Sequence, residues 1–393
     1  MRLWVKSGFV LILAMAISTP LAAAPCNNDA RPADKDCAST KPKTGLRLNQ
    51  LQMVGTAESY KQAPSKEMLS LIAMGGKKDA LALNFSEPSL ADQLNAGALA
   101  LSFDIAYDPK GGLFKNPAGA SMAGEVLDPA FVDAMSQPGF KVIHVLDVDY
   151  RSSCPTLYDC LTQVATWSRA HKNHMPIVIT LHVNDTKTPM PGAVRPMPCD
   201  AATLDALDNE IGSVFKTGEL IVPDQVRSDR ASLREAVLAG DWPTLRQARG
   251  KIILLLDGSA KKADIYGGSD HSLAGKPMFV IADEASPMAS FIAIDDPVKE
   301  GARIAADIRQ GFMVMTRADN EAVEARANNT TRRDQAFASG AQIIQTDFLL
   351  PDKAVGPYQV SIADSRHAQC NATVAQDHCA AWNASLKTAA RAP

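Results

Sequence analysis

Polar side chains able to move protons recur at similar places in this sequence. His144 sits inside "KVIHVLDVDYRSSC" and His182 inside "PIVITLHV". Imidazole is the side chain best matched to general acid–base work near neutral pH. Two carboxylates accompany them, Glu58 in "GTAESY" and Asp104 in "LSFDIAYDPKGG", and Arg317 stands in "TRAD". Each also has a structural explanation. His144 lies between Ile143 and Val145, so a buried, hydrogen-bonded imidazole accounts for it as well as a catalytic one. His182 is the same case. Asp104 could cap a loop, and Arg317 could pair with Asp319 or Asp347. His171 and His174 flank a helix end, where they complement its dipole. The joint pattern carries more weight than any one residue, because the polar groups fall at the ends of successive apolar runs.

Those runs are the elements that must position them. Strands are expected at Gln52–Gly55, Leu99–Ala106, Lys141–Val148, Ile177–Val183, Lys251–Asp257, Met278–Ala282, Phe312–Thr316 and Gln342–Thr346. Runs such as "KIILLLD" are apolar throughout, which suits strands covered on both faces in a parallel sheet. Helices are expected between many of them. Thr156 could cap a helix in which Leu157, Cys160, Leu161, Val164 and Trp167 share one face. Ala201–Phe215, Ser232–Leu238 and Lys299–Ile308 have similar character. Eight strands with intervening helices suggest an α/β fold, a somewhat irregular (β/α)₈ TIM-like barrel, with an open doubly wound sheet as the alternative. In a barrel, the C-terminal strand ends carry the chemistry. No G-x-G-x-x-G opens a helix and no P-loop is present, so a nucleotide fold has no support.

The chain has 393 residues, with 40 Lys and Arg against 43 Asp and Glu. That balance argues against a nucleic-acid binder, which needs a basic surplus. Arg2, Lys6, the apolar run Phe9–Ile17 and the small residues Ala22–Ala24 read as an export signal over residues 1–24. A polar arm follows over 25–48, then a barrel domain over 49–393 whose last stretch closes the fold. The protein is expected to be exported, either periplasmic or secreted. In an oxidising compartment the seven cysteines become disulfide candidates. Their spacing suggests Cys26–Cys37, Cys154–Cys160 and Cys370–Cys379, pinning the termini and leaving Cys199 odd.

Taken in order, the blocks "LRLNQLQMVGTAESYK", "LSFDIAYDPKGG", "PGFKVIHVLDVDYRSSCPTLYDCLTQVATWSRAHKNHMPIVIT", "VPDQVR", "TRADNEAVEAR" and "ASGAQIIQTDF" resemble the bacterial calcium-dependent phosphoinositide-specific phospholipase C family. The resemblance runs from about residue 46 to 380. It implies a TIM-like barrel that cleaves inositol-lipid phosphodiesters with Ca²⁺, with a phosphoinositide or another small phosphodiester as partner and transient contact with a membrane surface. It also implies a degenerate site. The family reads Gly-Thr-His-Asn-Ser-Tyr after its first strand, where this chain has Gly55-Thr56-Ala57-Glu58-Ser59-Tyr60. Its first catalytic His is therefore Ala57 here, and its ligand Asn is Glu58. A Glu and an Asp on the second strand correspond to Ser102 and Asp104. The second catalytic His matches His144. Glu-x-Lys on the fourth strand corresponds to His182-Val183-Asn184. Arg317 matches the family and could hold a phosphate.

Two functions are compatible with this pattern. In the first, the chain is a phosphodiesterase with altered catalytic and metal residues. Glu58 would be the base and His144 the acid, or Glu58, Asp104 and His182 would hold a metal, Mn²⁺ or Zn²⁺ being favoured over Ca²⁺ by that donor set. In the second, the barrel is catalytically inactive and binds a phosphorylated or inositol-like ligand. Convergence of Glu58, Asp104 and His182 would favour the metal enzyme, and divergence would favour the binder.

Overall fold

The computed structural model describes residues 45–216, 218–320, 322–362 and 367–389. The expected export signal, the arm as far as residue 44 and the Cys26–Cys37 pair lie outside the described residues.

The continuous apolar runs become parallel strands. These are β1 (Leu51–Thr56), β2 (Ala100–Asp108), β4 (Ile177–Val183), β5 (Ile252–Asp257), β6 (Met278–Val280), β7 (Phe291–Ala293), β8 (Met313–Arg317) and β9 (Ile343–Thr346), with β3 (Gly139–Val142) inserted after β2 and β10 (Ala368–Cys370) last. The eight parallel strands follow the order β6-β5-β4-β2-β1-β9-β8-β7. One parallel bridge, Ile281 to Phe291, joins the two ends. The result is a nearly closed, irregular (β/α)₈ barrel, as the alternation of runs and helices suggested.

Two strands differ from expectation. The Lys141–Val148 run is not a barrel stave. Only Gly139–Val142 is extended, and it pairs antiparallel with β2. The chain then turns back on itself, bridging Val145 to Asp149 with Asp147 at φ 68°. Polar Asp147 and Asp149 interrupt the alternation a strand would need. The missing stave is β7, whose three residues are too few to stand out as a run. The short β10 was also not expected; it pairs antiparallel with β1.

Packing is dense where the sequence is apolar. Phe279, Phe291 and Trp242 interlock edge-on and stacked, and the Trp242 indole donates to the Gly311 carbonyl at 2.8 Å. Glycine at 55 sets how closely β1 and β2 approach: a Cβ there would fall 2.2 Å from the Ala100 carbonyl oxygen. The helix Leu157–Ala170 is capped by Thr156, whose hydroxyl accepts from the Asp159 N–H at 3.1 Å, and it buries the expected face. His171 stacks on Trp167 at 4.1 Å, and His174 is buried against Ser168 at 2.7 Å, so both serve packing.

Cys154–Cys160 and Cys370–Cys379 are bonded, and Cys199 is a free buried thiol. Only the second bond lies near a terminus. The first is internal and ties the loop after His144 to the helix Leu157–Ala170.

The β1–β2 connection carries two helices, α1 (Lys66–Gly75) and α2 (Lys77–Ala82). No helix among the described residues is long and apolar enough to cross a membrane.

Candidate active site

Residues beyond the C-terminal ends of β1, β8 and β9, with the turn after β3, enclose a cleft of about 320 Å³. Glu58, Asp79, Phe85, His144, Arg317 and Asp347 are among its lining residues.

Glu58 is put there by a strained turn. Its φ of 47° is left-handed, a costly conformation for a non-glycine residue, and such strain persists only where the surroundings over-determine it. Here the turn is latched on several sides. The Ser59 hydroxyl accepts from the Ser102 N–H at 2.8 Å, the Gln93 side-chain amide donates to the Ser59 carbonyl at 2.6 Å, and the Lys61 N–H closes on the Glu58 carbonyl at 2.8 Å. The carboxylate is thereby aimed at His144.

His144 stands between two carboxylates. Its Nε2 lies 3.2 Å from Glu58 Oε1, and its Nδ1 lies 2.8 Å from Asp149 Oδ2. The same Asp149 oxygen accepts from Lys61 Nζ at 2.5 Å, with both side chains buried. The Asn184 amide donates to the His144 carbonyl at 3.0 Å and fixes the turn from β4. Charges therefore alternate along Glu58, His144, Asp149 and Lys61. Burial opposes charging of the imidazole, but the Glu58 carboxylate and the Asp149 hydrogen bond outweigh it and lift His144 from 6.5 to about 9. Burial likewise pushes Glu58 up, with His144 pulling the other way. The two compete for one proton. With a second carboxylate on its far nitrogen, the imidazole keeps it.

The opposite wall is built around Arg317. Its Nη2 donates to Asp347 Oδ1 at 2.7 Å, and Asp347 is chiefly what strengthens its hold on charge. Burial raises Asp347 to about 6 despite that guanidinium. Burial, then Asp347, raise Asp319 to about 7. The Asp347 N–H donates to Asp319 at 2.9 Å, so backbone and side chain lock the two acids together. Of the two partners open to Arg317 from sequence, Asp347 takes the ion pair, while Asp319 receives a bond only through its carbonyl, at 3.3 Å.

Glu58, His144 and Arg317 thus line one cleft; the other two expected residues do not join them there. Asp104 accepts from the Tyr60 hydroxyl at 2.8 Å. His182, opposite Asp104 in the β2–β4 register, has its Nδ1 3.9 Å from Asp257 on β5. Among the described residues no group of three or more His, Cys, Asp or Glu side chains is placed to hold a metal ion. The expected Glu58–Asp104–His182 set is therefore not assembled, because each member is directed to a different neighbour. Ca²⁺ takes roughly six to eight oxygens. With Glu58 on His144, Asp149 on Lys61 and Asp347 on Arg317, the residues present do not fit that ion.

Sequence reasoning passed over Lys61, Asp149 and Tyr60 as site residues. Signals existed: a lysine closing "GTAESYK" and an aspartate five residues after His144. Neither stands out without the turn that folds 149 back onto 144. Position 57 holds a buried alanine whose N–H is bonded to the Thr346 carbonyl at 2.9 Å.

Comparison with known proteins places the chain. Residues 46–372 match the family described as phosphoinositide phospholipase C, Ca²⁺-dependent. No curated protein sequence matches. Among solved structures, a calcium-dependent phosphoinositol-specific phospholipase C from Pseudomonas sp. is 14% identical, covering 83% of this chain and 96% of that one at a TM-score of 0.49. A Ca²⁺-dependent phosphatidylinositol-specific phospholipase C from Streptomyces antibioticus is 17% identical, covering 77% and 95% at a TM-score of 0.49.

Proposed function

The chain belongs to the Ca²⁺-dependent phosphoinositide phospholipase C family, and from that premise we propose that it is an exported phosphodiesterase cleaving an inositol phospholipid or related diester with its own side chains. The observation that carries this reading is an imidazole held between two carboxylates in a cleft whose other wall presents an arginine.

A substrate hydroxyl adjacent to the phosphodiester attacks phosphorus, and its proton passes to the Glu58 carboxylate, which lines the cleft. The bond from phosphorus to the glycerol oxygen breaks. That oxygen takes the proton of His144 Nε2, the acid that Glu58 and Asp149 keep charged. Arg317 faces the charge on the non-bridging oxygens. Products are a cyclic phosphate and diacylglycerol. The 3.2 Å Glu58–His144 contact then passes the proton back and resets the pair. No step runs through a metal ion. The substrate class places the enzyme, transiently, at a membrane surface.

Phosphorus NMR of phosphatidylinositol incubated with purified protein tests this. A cyclic phosphate product is expected, with turnover falling roughly 10²–10⁴-fold in His144→Ala. Turnover unaffected by that change would remove His144 from the chemistry. The buried alanine at 57 supports a second reading, a barrel that binds a phosphorylated or inositol-like ligand without cleaving it. Saturable binding of inositol phosphates with no product from any diester would favour it.

A further inference from the structure

The mouth of the barrel has a second half that lies outside the cleft. The parallel register sets Asp104 of β2 opposite His182 of β4, and His182 opposite Asp257 of β5. Side chains alternate along a strand, so His182 shares its face with Thr180, and Arg317 shares its face with Met315. The Thr180 hydroxyl lies 4.0 Å from the Met315 sulfur, although β4 and β8 are not neighbours in the sheet. That contact crosses the barrel interior. One layer nearer the mouth, His182 and Arg317 therefore face each other, and an eight-stranded barrel is just wide enough for facing side chains to fill it. The charge of Asp104 reaches Glu58 and His144 on one side and Asp257 on the other, and that of Asp295 reaches both Arg317 and Asp257. The two halves border one opening.

The two imidazoles at this opening are suited to opposite tasks. His144 is engaged on both nitrogens and held charged, which suits giving a proton. His182 has its Nδ1 3.9 Å from Asp257 Oδ2 and is 44% exposed. Water reaches this ring, and Asp257 stands where it stabilises the imidazolium formed once the ring takes a proton. The cleavage proposed above leaves a cyclic phosphate, and opening that ring with water needs such an acceptor. The ring oxygen that departs is the one whose proton went to Glu58, so the Glu58–His144 wall serves the leaving group. We propose that His182 is a second catalytic base, which activates water to open the cyclic phosphate, with Asp257 as its positioning residue. The water oxygen bonds to phosphorus and one water proton passes to His182. The bond from phosphorus to the ring oxygen breaks, and that oxygen takes the proton of His144 Nε2. The product is a phosphomonoester beside a free hydroxyl. His182 returns its proton to solvent and His144 regains one, which closes the cycle. The proposal rests on reading the cleft as a phosphodiester site.

The test follows two substrates of the full chain by phosphorus NMR: phosphatidylinositol in detergent micelles, and inositol 1,2-cyclic phosphate supplied directly. With the natural chain, the cyclic signal from the lipid should rise and then give way to the monoester. His182→Gln should lower the ratio of ring opening to lipid cleavage about 10²-fold, so that cyclic phosphate accumulates. Asp257→Asn should lower the same ratio, and should add little on top of His182→Gln, because it acts through that ring. A variant that merely folds poorly would lose both steps together, so the ratio separates the two causes. Ring opening that His182→Gln leaves intact would overturn the proposal, as would an equal fall in both steps. Lipid cleavage by the natural chain that stops at the cyclic phosphate would overturn it too and leave the cleavage reading standing. Ring opening that depends on His182, with no lipid cleaved, would uphold the second base and sink the cleavage reading instead. Neither substrate changing would overturn both.

Discussion

The two walls of the cleft both bury charge, yet they use it differently. On one, Glu58, His144, Asp149 and Lys61 alternate in sign along a line, and the titrating group sits in the middle. On the other, Arg317 is clamped by Asp347, and Asp347 by Asp319. Alternation leaves a proton with a place to go on either side of the imidazole. A clamp fixes a cation in position and leaves the neighbouring acids to adjust their protons around it. The first arrangement suits proton transfer, and the second suits holding an anion.

The contrast is broken most severely by removing the end of the alternating chain. Lys61→Met leaves buried Asp149 with His144 as its remaining cationic partner, and should lower the unfolding free energy by about 3 kcal/mol, measurable by urea denaturation. A loss under about 1 kcal/mol would mean that water reaches Asp149.

Glu58→Gln should reduce kcat roughly 10²-fold and also move its pH dependence. With His144 raised to about 9, the acid limb of catalysis should persist to that pH and fail above it. Without Glu58 the limb should move toward 6.5, the ordinary value. Stability follows the same sign. The contribution of charged His144 is complete below 6.5 and is lost as pH rises through about 9. A pH–rate profile that Glu58→Gln leaves unmoved would assign the limb to another group.

Arg317→Lys keeps charge but loses the planar fork. It should raise KM about tenfold with a smaller change in kcat, read from steady-state kinetics on a soluble diester. A dominant kcat effect would bring Arg317 into the proton-handling wall. The smallest effect is expected from chelation: EDTA should change turnover less than about twofold, because the carboxylates that could ligate Ca²⁺ are already paired. Metal analysis of the purified protein gives an independent check, and stoichiometric calcium would contradict the pairing argument.

Much of the scaffold was readable along the chain. The Ile177–Val183 strand, the helix after Thr156 and two disulfides follow from local pattern: unbroken apolar runs, a capping hydroxyl and short cysteine spacing. The run around His144 misled, because apolar residues at 142–148 read as a strand while the backbone turns at Asp147. Three of the five candidate side chains meet at one cleft. The three intended as metal ligands are not grouped to hold an ion, since Asp104 and His182 are register neighbours but pair with Tyr60 and Asp257.

Composition and periodicity alone determined an α/β fold of alternating strands and helices, because burial of such elements needs only the local order of apolar residues; closure into a barrel rather than an open sheet was decided by tertiary structure. Which carboxylate touches which cation depended on tertiary structure. Those partners stand up to 88 residues apart, as Lys61 and Asp149 do, and their pairing is set by side-chain direction and turn geometry that no spacing along the chain records. The same holds for the protonation of His144, which is a property of its two neighbours rather than of histidine.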